Sequence, residues 1–209
     1  FRPLDYYENA DGSPVDDQTR YRWVEYHKWK VKAEWYTPLT QSGGENPKTL
    51  VLRTAAGVGL IGQYNRRAGL SPFERFYLGG VFLSGFVLDG REILNLRGYD
   101  DLSLTAPDRN TGAPVVAKYS AELRYPLSTN PRATIYTLAF LEGGNTWEDP
   151  RAFNPFQVYR SAGVGMRIFL PMFGLLGLDY GWRLDDLESV PNMDRGQFHF
   201  SIGMNMGEL

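Results

Sequence analysis

Apolar and polar residues alternate with a period of two in seven segments of the chain, which is typical of β-strands with two different faces. The pattern predicts strands over residues 29–35, 50–60, 117–125, 133–141, 162–170, 176–182 and 198–204. One row of each strand is apolar. The opposite rows carry the charges, among them Lys30, Arg53, Glu122, Arg167 and Asp179. The sequence therefore predicts an all-β fold whose two faces differ in polarity.

The alternation alone does not tell which face meets water. In a soluble sandwich or lipocalin the apolar row fills the core, whereas in a membrane barrel it faces lipid and the charged row lines the lumen. The connections alternate between short and long, the long ones being 62–114, 143–157 and 183–196. Because short turns at one end and long loops at the other are typical of outer-membrane barrels, we predict a transmembrane antiparallel up-and-down β-barrel.

Composition excludes several classes of function. The 209 residues include no cysteine and only two histidines, His27 and His199, too few for a disulfide framework or a metal cluster. A net charge of −2 and the lack of a basic arm argue against nucleic acid. The densest carboxylates, Asp185, Asp186 and Glu188, fall in a predicted loop, and we interpret them as a solvated tip. We predict no catalytic site, no metal and no cofactor.

The longest connection carries a motif rich in glycine and aromatic residues. Phe73 is followed by Gly79 and Gly80, and then, after about fifteen residues from Val81 to Asn95, by Leu96-Arg97-Gly98-Tyr99. We expect the loop to pack against something, because a disordered loop rarely carries so much apolar surface. The aromatic residues concerned are Phe73, Phe76, Tyr77, Phe82, Phe86 and Tyr99.

This motif resembles the sixth extracellular loop of the BamA family of outer-membrane protein assembly factors, in which a Gly-Gly pair precedes a Val-Arg-Gly-Phe/Tyr tetrapeptide. Segments 120–126, 139–147, 161–165, 177–181 and 197–203 resemble strands of that family in the same order. The resemblance implies a barrel of roughly sixteen strands, preceded by periplasmic POTRA domains. Because seven strands cannot close such a barrel, we expect residues 1–209 to be its C-terminal part.

The resemblance also implies a role for the loop, which folds back into the lumen so that its arginine pairs with acids on the barrel wall. Carried over by motif, the latch consists of Arg97, Gly98 and Tyr99 with Glu122 and Glu142. Parity supports this independently, since both glutamates fall on charged rows of neighbouring predicted strands. The alternative is that the glutamates only hydrate the lumen or pair with Arg53, Arg124 or Arg167.

Two features depart from the family pattern. Residues 81–95 replace a short spacer, and we interpret them as an enlarged loop that caps the barrel or meets a surface partner, the alternative being that they fill the lumen. The chain ends in Met206-Gly207-Glu208-Leu209 rather than in an aromatic residue, which weakens the case for a standard C-terminal recognition signal.

The function implied is the folding and insertion of β-barrel proteins into the bacterial outer membrane, through a lateral seam beside the last strand. Phe198, Phe200 and Ile202 form the lipid-facing row of that strand. We expect Gly203 to weaken or kink its end, the alternative being that this glycine only relieves crowding. Implied partners are nascent outer-membrane β-barrel proteins, accessory assembly lipoproteins, and membrane lipid or lipopolysaccharide. The alternatives are a TamA-type or two-partner secretion barrel, and a small structural or adhesive barrel.

Overall fold

A computed structural model of the chain describes residues 12–13, 15–20, 25–41, 48–64, 69–80, 91–130, 133–171, 174–187 and 195–202. A short helix, α1 (Asp17–Arg20), precedes the strands, and a 3₁₀ helix (Pro150–Ala152) lies between β6 and β7. The strands, in chain order, are β1 (Tyr26–Gln41), β2 (Thr49–Gln63), β3 (Phe76–Gly79), β4 (Glu92–Asn95), β5 (Val115–Asn130), β6 (Ala133–Trp147), β7 (Tyr159–Leu170), β8 (Gly174–Arg183) and β9 (Gly196–Ile202).

Seven of these strands form one antiparallel sheet in the order β1-β2-β5-β6-β7-β8-β9. They contain the seven strands predicted from the alternation, except that residues 203–204 of the last predicted strand lie outside the described part of the chain. Strands β1 to β8 of this sheet have 10 to 16 residues, enough for the roughly 9 to 11 residues that a strand needs to cross a bilayer. In the described part of the chain β1 and β9 are the two free edges of the sheet.

The two faces of the sheet have the polarity of a membrane barrel. The apolar row is exposed, with Trp29 at 65%, Leu123 at 38% and Ile202 at 53% of full exposure. On the opposite side Glu122 and Asp179 are buried. A soluble sandwich would bury the apolar row, so this arrangement excludes the soluble alternative.

Strands β3 and β4 form a separate, two-stranded parallel sheet inside the long connection between β2 and β5. The sequence pattern predicted only a loop there, because strands of four residues are too short to show a period. Phe76 and Leu78 of β3 and Leu94 of β4 are fully buried. They belong to one hydrophobic cluster that joins the loop to the sheet: Ile61, Phe76, Leu78, Leu94, Leu96, Tyr99, Leu104, Val116 and Leu187.

The expectation that the loop aromatics are packed is confirmed for Phe76, Tyr77 and Tyr99, which are buried. It is wrong for Phe73, whose side chain is 55% exposed. The hydroxyl of Ser71 accepts a hydrogen bond from the backbone N–H of Phe73 at 3.0 Å. That turn comes before β3 begins, so Phe73 lies outside the hydrophobic cluster. Phe82 and Phe86 lie outside the described residues.

The described residues contain no helix with the length and apolar character that crossing a membrane requires.

Candidate functional site

The loop motif forms a tight hairpin, residues 96–100, held against the Gly79-Gly80 pair. The N–H of Leu96 donates to the carbonyl of Gly79 at 2.5 Å, and the N–H of Gly80 donates to the carbonyl of Asp100 at 2.8 Å. A β-carbon at position 79 would lie 2.2 Å from the backbone nitrogen of Leu102, closer than any real contact. The Gly-Gly pair is therefore a packing requirement of the hairpin.

Arg97 projects from this hairpin onto three carboxylates of the sheet. Its Nη2 lies 2.7 Å from Glu122 Oε1 and 2.7 Å from Glu142 Oε1, and its backbone N–H donates to Glu142 Oε2 at 3.0 Å. Its Nη1 lies 3.2 Å from Asp179 Oδ1. We call Arg97, Glu122, Glu142 and Asp179 the Arg97 cluster. These contacts join the loop to β5, β6 and β8.

Further groups surround the Arg97 cluster and compensate its charge. The guanidinium carbon of Arg97 lies 3.6 Å from the centre of the Phe140 ring, a cation–π contact. Arg124 donates to Glu122, and Arg167 Nη1 lies 2.9 Å from Asp179 Oδ1. Lys118 Nζ lies 3.7 Å from Glu142 Oε1. Each carboxylate thus has more than one cation, which is how ionic groups are stabilised away from water.

Gly98 and Tyr99 fasten the hairpin to the last three strands. Gly98 has a φ of 88°, which favours glycine, and its N–H donates to His199 Nε2 of β9 at 2.9 Å. A β-carbon there would approach the backbone of Trp182 on β8 to 3.0 Å. The hydroxyl of Tyr99 donates to the carbonyl of Arg160 on β7 at 2.7 Å.

A second group of charges holds the loop to β1. Lys28 Nζ lies 2.6 Å from Glu92 Oε2 and 3.1 Å from Glu74 Oε2, and Lys30 Nζ lies 3.0 Å from Glu92 Oε1. We call these four residues the β1 cluster. Lys28 also lies 4.8 Å from the ring centre of Phe76. The loop therefore contacts the lumen-facing side of the sheet from its first strand to its last.

The sequence placed Asp179 and His199 on charged rows but did not connect either residue with Arg97. The alternation shows only which face of the sheet a side chain occupies. The position of the hairpin along the strands is set by the packing of the loop. The alternative pairs considered for Glu122 are also present, because Arg124 donates to it and Arg53 Nη1 lies 3.8 Å away. Glu122 thus pairs both with Arg97 of the loop and with arginines of the barrel wall.

The residues expected at the seam lie on the other face of β9. Phe198 is 64% exposed, Ile202 is exposed and Phe200 is half-buried. Gly203 lies outside the described residues. The structure does not bring this row together with the Arg97 cluster, although His199 on the same strand contacts the hairpin.

The insertion contributes to the loop core at its described end. Residues 81–90 lie outside the described part, whereas Glu92–Asn95 form β4, in which Leu94 and Asn95 are buried. The carbonyl of Asn95 accepts a hydrogen bond from Lys118. This end of the insertion therefore packs against the lumen-facing side of the sheet rather than against its outer face.

Outside the wall, Arg160 and Asp185 form an exposed pair near the loop end of the barrel. Arg160 Nη2 lies 2.7 Å from Asp185 Oδ1. The hydrogen bond from Arg160 holds the pKa of the Asp185 carboxyl below its usual value. Among the described residues no group of three or more acidic, histidine or cysteine side chains is placed to bind a metal ion.

Comparison with known proteins agrees with this architecture. Residues 17–206 match the model of the Omp85 superfamily domain. Among solved structures, the chain is similar to the crystal structure of BamA from Haemophilus ducreyi lacking POTRA domains 1-3, with 19% sequence identity and a TM-score of 0.57. The match covers 85% of this chain and 35% of that one, so the chain spans about a third of its length. No curated protein matches the sequence.

These comparisons confirm three expectations from the sequence, namely the transmembrane β-barrel, the outer membrane as its location and a barrel family that is not enzymatic. An outer-membrane barrel is supported by the strand order, by the exposure of the apolar row and by the family match over residues 17–206. The chain belongs to the Omp85 superfamily of outer-membrane β-barrels.

Proposed function

We propose that this chain is the C-terminal part of an outer-membrane protein assembly factor of the BamA kind, which folds and inserts β-barrel proteins through a seam beside β9. The proposal is supported by membership of the Omp85 superfamily together with an internal loop that contacts the last described strand and, through Arg97, the acids of β5, β6 and β8. His199, on the lumen-facing side of β9, accepts a hydrogen bond from the hairpin.

A free strand edge offers unpaired N–H and C=O groups that can template an incoming strand. An unfolded client would add its own strand to β9 by β-augmentation, with main-chain hydrogen bonds supplying most of the attraction. The exposed side chains Phe198 and Ile202 face lipid. Client side chains of the same polarity would then continue the apolar band of the wall.

The Arg97 latch has a mechanical role in this proposal. By pairing with acids of β5, β6 and β8, Arg97 holds these strands in one arrangement while the edge strand exchanges partners. The seam can then open without the loop leaving the lumen. Nascent outer-membrane β-barrel proteins are the proposed clients, and accessory lipoproteins and membrane lipid or lipopolysaccharide are the proposed partners.

Depletion of the whole protein in its own host tests the assembly function. We expect the amounts of many unrelated outer-membrane β-barrel proteins to fall together, measured by quantitative proteomics of outer-membrane fractions. Re-expression of the wild-type gene is the control. If only one secreted polypeptide disappears while the other barrels keep their normal levels, the two-partner secretion alternative replaces the proposal. If neither changes, the barrel is structural or adhesive.

Disulfide trapping tests the use of β9. The 209 residues lack cysteine, so a cysteine introduced at Phe198 is unique within this part of the protein. It should form a disulfide with a cysteine in the terminal strand of a client arrested during folding. A cysteine at Val164, another exposed apolar position, on β7, is the matched control. Equal trapping at both positions would contradict the seam.

A further inference from the structure

The contact between the hairpin and β9 depends on an imidazole in a specific protonation state. The N–H of Gly98 donates to His199 Nε2 at 2.9 Å. An imidazole that accepts at Nε2 carries its single proton on Nδ1 and is neutral. Protonated histidine has N–H groups at both positions and accepts at neither. A proton on His199 would therefore place two donors face to face.

The surroundings of His199 favour movement of the protonated ring away from Gly98. His199 is 5% exposed, and Asp179 on β8 is its direct partner across the strands. The charged groups acting on the imidazole are Asp179, Glu142 on β6, and Arg97 and Asp100 of the hairpin, while Arg167 of β7 is bound to Asp179. A positive imidazole would be drawn to the carboxylates and repelled by Arg97 and the Gly98 donor.

A second bond between the same two elements does not depend on that proton. The side-chain amide of Gln197 donates to Asp100 Oδ1. Gln197 and His199 lie on the same face of β9, two residues apart, so both side chains reach the hairpin. An amide does not titrate, and its N–H remains a hydrogen-bond donor when His199 gains a proton. The chain thus offers a pH-independent contact beside a pH-dependent one.

We propose that His199 is a positioning residue of the seam strand: when neutral it fastens β9 to the loop hairpin through Gly98, and its protonation releases that contact. The importance of this contact for client assembly rests on the proposed function. The contact itself and its loss on protonation do not rest on the proposed function. Acidification would therefore loosen the last strand from the loop while the Arg97 cluster stays closed.

Hydrogen–deuterium exchange of the full-length protein in lipid nanodiscs tests the proposal. Exchange of residues 96–100 and 196–202 is measured by mass spectrometry at pH 7.5 and 4.5, with labelling times scaled to the intrinsic exchange rate. Burial disfavours the charged imidazole, so the acidic value lies below the range in which an exposed histidine changes charge. We expect the protection of the Gly98 amide to fall by about three- to tenfold at pH 4.5, the range that one lost hydrogen bond accounts for.

His199→Gln is the decisive variant, because the glutamine oxygen can accept the same N–H and does not titrate. Its protection should be equal at the two pH values. His199→Phe removes the acceptor and should show low protection at both, and Gln197→Ala should lower protection by the same factor at both. Each variant is first checked for folding by its heat-modifiable mobility on gels.

Protection of wild-type Gly98 that does not change with pH would overturn the proposal, as would an equal drop in His199→Gln. Neither result depends on clients, so failure here leaves the assembly function to be judged by the depletion experiment. Conversely, a normal complement of outer-membrane proteins after depletion would overturn the assembly function without touching the exchange result.

Discussion

The Arg97 cluster and the β1 cluster fasten the same loop to the same sheet, yet their surroundings differ. The side chains of Arg97 and Glu142 are each 3% exposed, whereas those of the β1 cluster range from 14% for Lys28 to 47% for Glu74. Water and salt screen exposed ion pairs, so that such pairs contribute little to stability. Buried charges without partners are costly. The difference teaches that burial, more than the number of ion pairs, decides which contact holds the loop.

Reversal of the arginine should give the largest effect. Arg97→Glu would leave a fourth carboxylate beside Glu122, Glu142 and Asp179, and we expect the free energy of unfolding to fall by about 3–5 kcal/mol. The measurement is denaturant unfolding of the full-length barrel in lipid. Arg97→Lys is the matched control: it keeps the charge but loses the guanidinium geometry, and it should fall in between. An unfolding free energy unchanged in Arg97→Glu would contradict the latch.

A double-mutant cycle sharpens this prediction. Glu122→Arg in the Arg97→Glu protein should restore part of the lost stability, because one attractive pair is rebuilt across the lumen. The rescue should be incomplete, since Glu142 and Asp179 still face the new carboxylate. Strict additivity of the two single effects would show that Arg97 and Glu122 are not coupled.

A charge introduced on the outer, apolar face of the sheet would have no partner, in contrast to the charges of the two clusters. Val164 on β7 is 52% exposed on the apolar row. Val164→Lys should lower barrel stability by about 2–4 kcal/mol if the position lies near the bilayer midplane. Unfolding in lipid vesicles measures the change, with Val164→Leu as the control. A harmless lysine at this position would argue that the row faces water.

The β1 cluster should respond weakly and depend on salt. Glu92→Gln removes the carboxylate shared by Lys28 and Lys30, and we expect a loss of about 0.2–1 kcal/mol at low ionic strength. Unfolding measured at low and high salt should show this loss shrinking, while the loss in Arg97→Glu persists. If the loss of stability in Glu92→Gln did not change with salt, the β1 cluster would be screened no more than the Arg97 cluster.

The smallest effect is expected at the exposed pair of Arg160 and Asp185. Asp185→Asn should lower the free energy of unfolding at pH 7 by a small but measurable amount, since both side chains contact water. The pKa of the Asp185 carboxyl is lowered by Arg160 in the folded protein. Its contribution is therefore present above the unfolded pKa, near 4, and is lost as pH falls further. Parallel stability curves of wild type and variant down to pH 3 would contradict the pair.

Much of the architecture was predictable, because polar and apolar residues alternate along a strand whose two faces have different surroundings. The alternation placed Trp29 and Ile202 outside and Glu122 and Asp179 inside, and the structure confirms these faces. The strands β3 and β4 were not predictable in this way. Each has four residues, and they pair in parallel across an insertion, so neither period nor turn length points to them.

The sequence by itself determined the two-residue alternation of the wall, because successive side chains of a strand point to opposite faces. The connection lengths favoured an apolar outer face, and the exposure of Trp29 and Ile202 in the structure decided it. It also marked Arg97 through the motif around it. Only the tertiary structure decided that Asp179 and His199 join the hairpin, and that Phe73 stays out of the loop core. The physical reason is that these contacts depend on how deeply the loop sits in the lumen, a distance set by its own packing against the sheet.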